Sequence, residues 1–246
     1  MTKRPEKREG VIRFRADHVA ETLPKSFRSH LGSLLAWRRV LRAVGWLGQE
    51  RDRYGGYGFG NLSLRVPGEG FVITGSQTSG MEEVGMGEMA QVRRWSVEDN
   101  RVESWGLHLP SSESLSHAAL YALSPDIRAV FHVHAPQLFR WALETPSPRL
   151  PTTAVDVEAG TPRMAEEIAR AWRAGPPRGF GEAGCGVLVM GGHPDGLLAF
   201  GESADAAGRS LVRVAVRAAR HSSDPSESVD SPGVSDVTDA ATRSCM

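Results

Sequence analysis

The chain has 246 residues, and its 29 basic and 29 acidic side chains give a formal net charge of zero. This balance gives a nucleic acid or an acidic membrane no electrostatic advantage as a partner, and no apolar run reaches the roughly 18 residues of a membrane-spanning helix. Two cysteines, Cys185 and Cys245, are too few for a disulfide framework or a cysteine-based zinc site, which fits a reducing compartment. We therefore expect a cytoplasmic protein with no nucleic-acid or membrane partner.

Both ends of the chain are predicted to lie outside one folded domain. The first ten residues are charged and lack the apolar stretch of a signal peptide. Residues 221–246 are rich in Ser, Asp and Pro and poor in large apolar groups, so burial could not offset the entropy lost on ordering them. We predict a flexible N-terminus at 1–10, a folded domain at 11–220 and a disordered tail at 221–246.

The first predicted elements are a helix, a loop and a hairpin. Between residues 26 and 47, apolar side chains recur at spacings close to 3.6, which predicts an amphipathic helix. Its basic residues Arg38, Arg39 and Arg42 could help to bind a phosphate, but we expect them to face water. A glycine-rich loop at 54–61 follows, and apolar runs at 62–66 and 71–74 flank a Pro-Gly turn, which predicts a hairpin.

Helices and strands alternate in the second half of the chain. A helix is predicted from Ser111 to about Leu123, and an apolar strand ends at His134. Thr161 before Pro162 indicates the start of a helix that runs to Trp172. A hairpin with strands at 187–190 and 197–200, and a helix at 205–220, complete the domain. Hairpins mixed with helices predict a mixed or antiparallel sheet covered by helices.

Two histidines stand one residue apart at the end of an apolar strand. Because side chains alternate along a strand, His132 and His134 lie on the same face, about 7 Å apart along the chain. Two imidazoles on one face can share a metal ion, but they can also serve as ordinary hydrogen-bonding groups. The turn residue His193 matters only if such a site needs another ligand, since zinc sites open to substrate use three protein ligands.

Other polar segments have both a functional and a structural interpretation. Glu113 in the first turn of a helix suits the helix dipole, but a carboxylate there could also bind a metal or move a proton. One turn later, we interpret His117 as structural rather than catalytic. The loops around Gly60 and Gly75 carry glycine, amide and hydroxyl groups that are typical of anion sites, and equally of polar turns.

The order of these motifs resembles the class II aldolase/adducin family, typified by fuculose-phosphate aldolase and ribulose-phosphate 4-epimerase. The matching segments span roughly residues 28–215. They are Gly60-Asn61-Leu62-Ser63, Thr74-Gly75-Ser76, Pro110-Ser111-Ser112-Glu113 with His117, His132-Val133-His134, Gly160-Thr161-Pro162 with Ala165 and Ile168, and His193 ahead of Gly196 and Gly201.

The resemblance implies a three-layer α/β/α fold around a central, mostly antiparallel sheet, and a homotetramer with active sites between subunits. It implies zinc, or manganese, cobalt or iron, on three histidines, and it implies Glu113 as the acid/base residue. The implied metal ligands are His132, His134 and His193, and the implied phosphate-binding residues are Gly60, Asn61, Thr74, Gly75, Ser111 and Ser112. The implied activity is aldol cleavage of a small phosphorylated sugar, or a related hydroxy-carbonyl compound, through a metal-stabilised enediolate.

The sequence departs from the family pattern at two places. The family has glycine directly after the third histidine, whereas Pro194 and Asp195 separate His193 from Gly196 here. The family's aldolases also use a tyrosine near the C-terminus as a proton donor, and this chain has tyrosines only at 54, 57 and 121. A 4-epimerase or a dehydratase on the same metal site therefore stays an alternative, and so does a non-catalytic, adducin-like interaction module.

Overall fold

The computed structural model describes residues 10–66, 68–144, 150–175 and 184–223. Within these ranges, the chain forms ten strands and five α-helices. The strands are β1 (Arg15–Ala20), β2 (Gly48–Gln49), β3 (Gly58–Phe59), β4 (Asn61–Arg65), β5 (Phe71–Thr74), β6 (Met89–Ser96), β7 (Arg101–Gly106), β8 (Ala129–His134), β9 (Gly186–Val189) and β10 (Gly196–Gly201). The α-helices are α1 (Gly32–Ala43), α2 (Ser114–Leu123), α3 (Pro136–Glu144), α4 (Pro162–Arg173) and α5 (Ala204–Ser223).

The main sheet has the strand order β1-β7-β6-β5-β4-β8-β10-β9, and β2 pairs with β3 separately. In the described residues, β1 and β7 form the one parallel pair of named strands, and the other neighbours are antiparallel. The predicted α/β class with a central, mostly antiparallel sheet is therefore confirmed.

Hydrophobic clusters cover both faces of the sheet, as three layers require. On one face, Phe131 and Val133 of β8 pack in a cluster with buried residues of α1, α3 and α5. On the other face, Val130 packs with buried residues of α2 and α4. Because side chains alternate along β8, His132 and His134 lie on the side of α2 and α4.

Several elements agree with the sequence prediction because their local signals are strong. Both predicted hairpins form, as β4–β5 and β9–β10. Helix α4 begins after Thr161, whose Oγ1 accepts a hydrogen bond of 3.2 Å from the Met164 amide, and Pro162 occupies the first turn. The first amides of a helix have no partner within the helix. An N-cap hydroxyl accepts a hydrogen bond from one of them, and a proline in the first turn has no amide hydrogen that needs a partner.

The predicted first helix is too long. A 3₁₀ helix at Lys25–His30 precedes α1, and α1 ends at Ala43 rather than at residue 47. Gly45 adopts a left-handed φ of +71° just beyond the helix, a conformation that glycine adopts without a steric penalty and that commonly ends helices. The apolar spacing therefore continues across two points where the backbone changes conformation.

The predicted tails lie mostly outside the described residues. Residues 1–9 and 224–246 belong to that part of the chain, whereas the first three residues of the predicted tail, 221–223, form the end of α5. Gly10, the last residue of the predicted N-terminal segment, is described. Among the described helices, none combines the length and the apolar character needed to cross a membrane.

Candidate metal centre and cleft

Three histidines from two neighbouring parts of the sheet meet at one point. His132 and His134 end β8, and His193 lies in the connection between β9 and β10. Because β10 pairs antiparallel with β8 and places Gly196 opposite His134, the β9–β10 connection lies beside the end of β8. All three side chains are buried, and their ligand atoms lie within 4.8 Å of one another. The metal set implied by the family resemblance is therefore brought together in space.

The ring nitrogens are spaced as a shared cation requires. The Nε2 atom of His132 lies 3.1 Å from the Nε2 atoms of both His134 and His193. Three imidazole nitrogens bound tetrahedrally to zinc at about 2.0–2.1 Å would lie about 3.3 Å apart. The donor set is also one that zinc and other first-row divalent cations accept. The residues present therefore fit a divalent metal ion.

A backbone contact sets the orientation of His132. Its Nδ1 atom lies 3.2 Å from the carbonyl oxygen of Leu197 on β10. Because a carbonyl oxygen only accepts hydrogen bonds, Nδ1 carries the proton and Nε2 keeps its lone pair for the metal. Burial lowers the pKa of His132 well below its usual range, and the neighbouring His134 and His193 lower it further. The ring is therefore neutral, as a metal ligand must be.

Glu113 occupies the N-cap position of α2 and is 3% exposed. Its Oε2 atom accepts a hydrogen bond of 2.6 Å from the Ser116 hydroxyl, and its backbone amide lies 3.3 Å from Ser111 Oγ. The carboxylate lines a cleft that also contains His193. We call this cleft the metal-side cleft, and its walls include Tyr54, Ser112, Glu113, Glu158 and His193. The predicted acid/base residue and one predicted metal ligand thus face the same space.

A second, polar pocket adjoins the metal-side cleft, and Gly10 and Ser112 line both. We call it the glycine–serine pocket. It is lined by Gly10, Gly58, Gly60, Asn61, Gly75, Ser76, Gln77, Ser79, Ser111 and Ser112. Five of the six residues predicted to hold phosphate are in this set. The lining offers hydroxyl and amide groups, which suit an anion or a sugar hydroxyl.

The sixth predicted phosphate residue, Thr74, has a different contact. It does not line the pocket, and its Oγ1 accepts a hydrogen bond of 3.2 Å from the backbone amide of Leu62. Asn61, by contrast, has a buried Oδ1 atom with no hydrogen-bond partner among the described residues. A ligand hydroxyl could satisfy this atom, or a phosphate oxygen could bind the amide nitrogen after the side chain flips.

Gly75 allows the backbone to approach closely beside the pocket. A Cβ atom at this position would lie 2.5 Å from Cβ of His108 and 2.9 Å from the carbonyl oxygen of Glu88. Ser79 then ties the loop after β5 to the loop before β4, because its hydroxyl donates a 2.7 Å hydrogen bond to the carbonyl oxygen of Gly60. The two predicted anion loops are therefore parts of one wall.

Arg38 supports this wall from behind, and the expectation that it faces water is wrong. The side chain is 2% exposed, and its guanidinium donates hydrogen bonds to backbone carbonyls of the loop at 78–82. The bond to Thr78 is 3.1 Å and the bond to Glu82 is 3.2 Å. Burial, followed by the charge of Arg42, lowers the pKa of Arg38. The planar guanidinium has five donors, which suits it to bind several carbonyls in one turn.

His117 lies outside the histidine cluster, in agreement with its structural interpretation. Its Nδ1 atom lies 2.7 Å from the Ser63 hydroxyl, which in turn lies 2.7 Å from the Tyr121 hydroxyl. All three side chains are buried. Burial lowers the pKa of His117 to about 3, so the ring is neutral at ordinary pH. This polar chain joins β4 to α2.

Sequence reasoning missed the residues that close the metal-side cleft. Arg13 and Glu158 both line it and form an ion pair of 3.0 Å between Nη1 and Oε2. Tyr54 also lines it, and its ring packs edge-on against His134 with 4.6 Å between ring centroids. Burial raises the pKa of Tyr54, as does a hydrogen bond to Asp195. These residues come from distant segments, so no spacing along the chain indicates them.

Comparison with known proteins gives the family. Residues 46–220 match the model of the class II aldolase and adducin N-terminal domain. The chain therefore belongs to the class II aldolase/adducin family. A curated relative, the 3-oxo-tetronate 4-phosphate decarboxylase of Haemophilus influenzae, is 28% identical over 152 residues, which cover 54% of this chain and 67% of that protein.

Solved structures show the same fold at low sequence identity. The L-fuculose-1-phosphate aldolase of Thermus thermophilus superposes with a TM-score of 0.59 at 18% identity, covering 84% of this chain and all of that one. A putative aldolase/epimerase/decarboxylase from Klebsiella pneumoniae superposes with a TM-score of 0.57 at 17% identity, covering 79% and 89%. At these identities the likeness establishes the fold, and the family contains more than one reaction.

Proposed function

We propose that this protein is a divalent-metal-dependent lyase that cleaves a carbon–carbon bond in a small phosphorylated hydroxy-carbonyl compound, with aldol cleavage as the first candidate reaction. One observation carries the proposal. Three buried imidazole nitrogens converge beside a cleft that contains Glu113, and that cleft adjoins the glycine–serine pocket. A metal site, a carboxylate and an oxyanion site side by side are what such a reaction needs.

The metal ligands in this proposal are His132, His134 and His193. A divalent cation held by them, with zinc as first choice and manganese, cobalt or iron as alternatives, would act as a Lewis acid toward a substrate carbonyl. The three histidines leave coordination positions for substrate, as in open catalytic sites. Hydrogen bonding of His132 to Leu197 keeps one of these ligands in the correct tautomer without help from another side chain.

Glu113 moves the proton in the proposed reaction. In aldol cleavage, a carbon–carbon bond breaks, the hydroxyl beside it loses its proton as an aldehyde forms, and the electron pair of the bond passes toward the neighbouring carbonyl. The carbon that keeps the ketone then gains a proton. A carboxylate in the cleft can take the first proton or deliver the second, and the Ser116 hydroxyl keeps it oriented.

The glycine–serine pocket would hold the phosphate group, away from the reacting carbons. Five of the residues that the resemblance implies for this role line the pocket: Gly60, Asn61, Gly75, Ser111 and Ser112. Thr74 would contribute indirectly, because its Oγ1 accepts a hydrogen bond from the backbone amide of Leu62, next to Asn61. Backbone amides and hydroxyl groups bind phosphate oxygens without a fixed positive charge. Binding at this distance from the bond that breaks would position the carbonyl at the metal.

Decarboxylation is the second candidate reaction, because the curated relative is a 3-oxo-tetronate 4-phosphate decarboxylase. In that reaction the bond to a carboxylate breaks and carbon dioxide leaves, while the electron pair again passes toward a neighbouring carbonyl. The same metal site and proton carrier serve both reactions. Epimerisation at carbon 4 and dehydration remain alternatives on the same site, and an adducin-like interaction module is the non-catalytic alternative.

The assembly and the location of the protein are also proposals. We propose a homotetramer with active sites near subunit contacts, because the family resemblance implies it, and a cytoplasmic enzyme. Sedimentation equilibrium of the purified protein tests the first part. A monomer at the concentrations used for activity would contradict it.

The test of function is product analysis on metal-loaded protein. Ketose 1-phosphates and a 3-oxo acid 4-phosphate, each labelled with carbon-13, are incubated separately and followed by NMR. Aldol cleavage gives an aldehyde and a smaller ketone phosphate, decarboxylation gives labelled bicarbonate, and epimerisation conserves the carbon skeleton. The proposal predicts cleavage of at least one ketose phosphate and no cleavage by the metal-free protein. Epimerised or dehydrated products alone would contradict it.

A further inference from the structure

Ring contacts with His134, Phe59 and Arg53 hold Tyr54 in the metal-side cleft. Its ring is in T-shaped contact with His134 at 4.6 Å and with Phe59 at 5.1 Å between ring centroids. Its backbone adopts a left-handed φ of +50°, which is uncommon for a residue with a large side chain. Such a conformation persists where the surroundings determine it, and it is enriched at functional sites. The side chain is therefore fixed in place before a ligand binds.

The hydrogen bonds of the Tyr54 hydroxyl are assigned by the chemistry of its two partners. The hydroxyl lies 2.6 Å from Oδ2 of Asp195, and because a carboxylate accepts, the phenolic O–H donates to Asp195. Arg53 Nη2 donates to the phenolic oxygen at 3.1 Å. The proton of the phenol is therefore used, and one lone pair of its oxygen is used as well.

One acceptor position remains on the phenolic oxygen, in the described part of the chain. A hydroxyl oxygen has two acceptor lone pairs, and the Arg53 contact takes one. The complementary group on a ligand is a donor, such as the hydroxyl of a sugar. A fully ionised carboxylate or phosphate has only acceptors, so it cannot donate a hydrogen bond to this oxygen. The site beside the metal therefore favours a ligand that carries a hydroxyl.

The carboxylate partner of Tyr54 lies in the β9–β10 connection that also carries His193. Asp195 is one of the two residues that separate His193 from Gly196. Asp195 has a φ of +63°, and its carbonyl oxygen accepts a 3.0 Å hydrogen bond from the amide of Ala135, next to His134. These residues thus bring a carboxylate to the Tyr54 hydroxyl.

We propose that Tyr54 is a substrate-positioning residue whose phenolic oxygen accepts a hydrogen bond from a substrate hydroxyl beside the metal centre. The inference rests on the proposed function and deepens it, because it requires a substrate that carries a free hydroxyl in addition to its carbonyl and its phosphate. Asp195 and Arg53 act through Tyr54 by fixing its hydroxyl. No covalent step is assigned to Tyr54.

The experiment measures binding of two phosphates that differ only in hydroxyl groups. Erythrulose 1-phosphate has hydroxyls beyond its carbonyl, and 2-oxobutyl phosphate has the same carbonyl and phosphate without them. Calorimetric titrations use zinc-loaded protein in the Glu113→Gln background, so that ligand is not consumed. Inorganic phosphate is a third probe, which reports on the glycine–serine pocket alone.

The informative variant is Tyr54→Phe, which removes the hydroxyl and keeps the ring against His134. Its control is Tyr57→Phe, a tyrosine three residues away that is 38% exposed and lines neither pocket. We expect Tyr54→Phe to lower the affinity for erythrulose 1-phosphate by about three- to tenfold, the range of one hydrogen bond. The affinities for 2-oxobutyl phosphate and inorganic phosphate should not change. Tyr57→Phe should change none of the three.

Each other outcome overturns the inference. Equal weakening of both ketone phosphates would show that Tyr54 only supports the cleft, and no weakening of either would show that it does not contact the ligand. The inference would also be overturned if the protein with both tyrosines intact bound erythrulose 1-phosphate no more tightly than 2-oxobutyl phosphate. The proposed function would survive that result if one metal ion per chain were still bound. Absence of bound metal would overturn both.

Discussion

His132 and Leu197 are joined across strands β8 and β10 by a hydrogen bond of 3.2 Å from the ring Nδ1 to the carbonyl oxygen. The hydrogen-bond partner of His132 is thus a backbone carbonyl of the sheet itself. Because the carbonyl fixes the tautomer, the lone pair of Nε2 faces His134 and His193 in the folded chain. The metal site is therefore organised by strand pairing, and its geometry forms when the sheet forms.

Replacing Glu113 with Gln separates proton transfer from metal binding. The amide keeps the size of the side chain but does not act as a base at neutral pH, so we expect turnover to fall by at least about 100-fold. The metal content should stay at that of the wild type. Initial rates and elemental analysis of the same preparations measure both. Glu21→Gln, at an exposed site, is the control, and undiminished turnover in Glu113→Gln would refute the assigned role.

Replacing Arg38 with Met should loosen the wall of the glycine–serine pocket. Four backbone carbonyls at 78–82 would lose a buried donor, so we expect the free energy of unfolding to fall by roughly 2–4 kcal/mol. Affinity for inorganic phosphate should fall by about tenfold, since the loop would no longer be fixed. Urea unfolding and calorimetry give the two quantities.

The neighbouring Arg39→Met variant is the matched control for Arg38. Arg39 is exposed and pairs with Glu83 at 2.8 Å, and exposed ion pairs contribute little. Neither its unfolding midpoint nor its phosphate affinity should change measurably. If both arginine variants behaved alike, the buried guanidinium would not be what supports the loop.

Replacing Gly192 with Ala should displace His193, the residue that follows it in the chain. A Cβ atom there would lie 1.8 Å from the carbonyl oxygen of Val157, so the backbone before His193 must move. We expect a loss of about 1–3 kcal/mol in unfolding free energy, and weaker metal binding in a competition titration with a chelator. Gly32→Ala, where nothing lies within 4 Å, should bind metal normally. Unchanged metal affinity in Gly192→Ala would count against His193 as a ligand.

The buried His117 should make stability depend on pH. Its pKa is lowered to about 3 by burial, against about 6.5 in an unfolded chain. Above about pH 6.5 both states are neutral at this site. Below it, the unfolded chain takes up a proton that the folded protein does not, so stability falls as the pH falls, by about 2 kcal/mol between pH 7 and 5.

His117→Gln should remove this part of the slope, although the variant is less stable at pH 7 because the Ser63 contact changes. Urea unfolding of both proteins at pH 7 and 5, with chelator present to exclude metal effects, gives the difference between slopes. Parallel slopes would show that His117 is not buried as a neutral ring.

The sequence predicts those features whose cause is local. The Thr161 cap, the two hairpins and the shared face of His132 and His134 follow from turn residues, capping chemistry and strand alternation. The position of His193 could be assigned only through the family resemblance, because nothing local distinguishes a ligand from an ordinary turn histidine.

Features that depend on tertiary contacts are missed. Arg38 is buried because it meets a loop 40 residues away, and a charged residue on a helix is more often exposed. Tyr54 meets Asp195 across 141 residues, and β1 joins the sheet as a parallel edge beside β7. No pattern within one element carries these relationships.

The central claim is that the three histidines hold a catalytic divalent metal, and metal content tests it most directly. Protein purified without a histidine tag is analysed by elemental mass spectrometry beside His132→Ala and the exposed-site control His30→Ala. The account predicts about one divalent ion per chain in the wild type and the control, and almost none in His132→Ala. Equal metal content in all three proteins, or none in any of them after incubation with zinc or manganese, would contradict it.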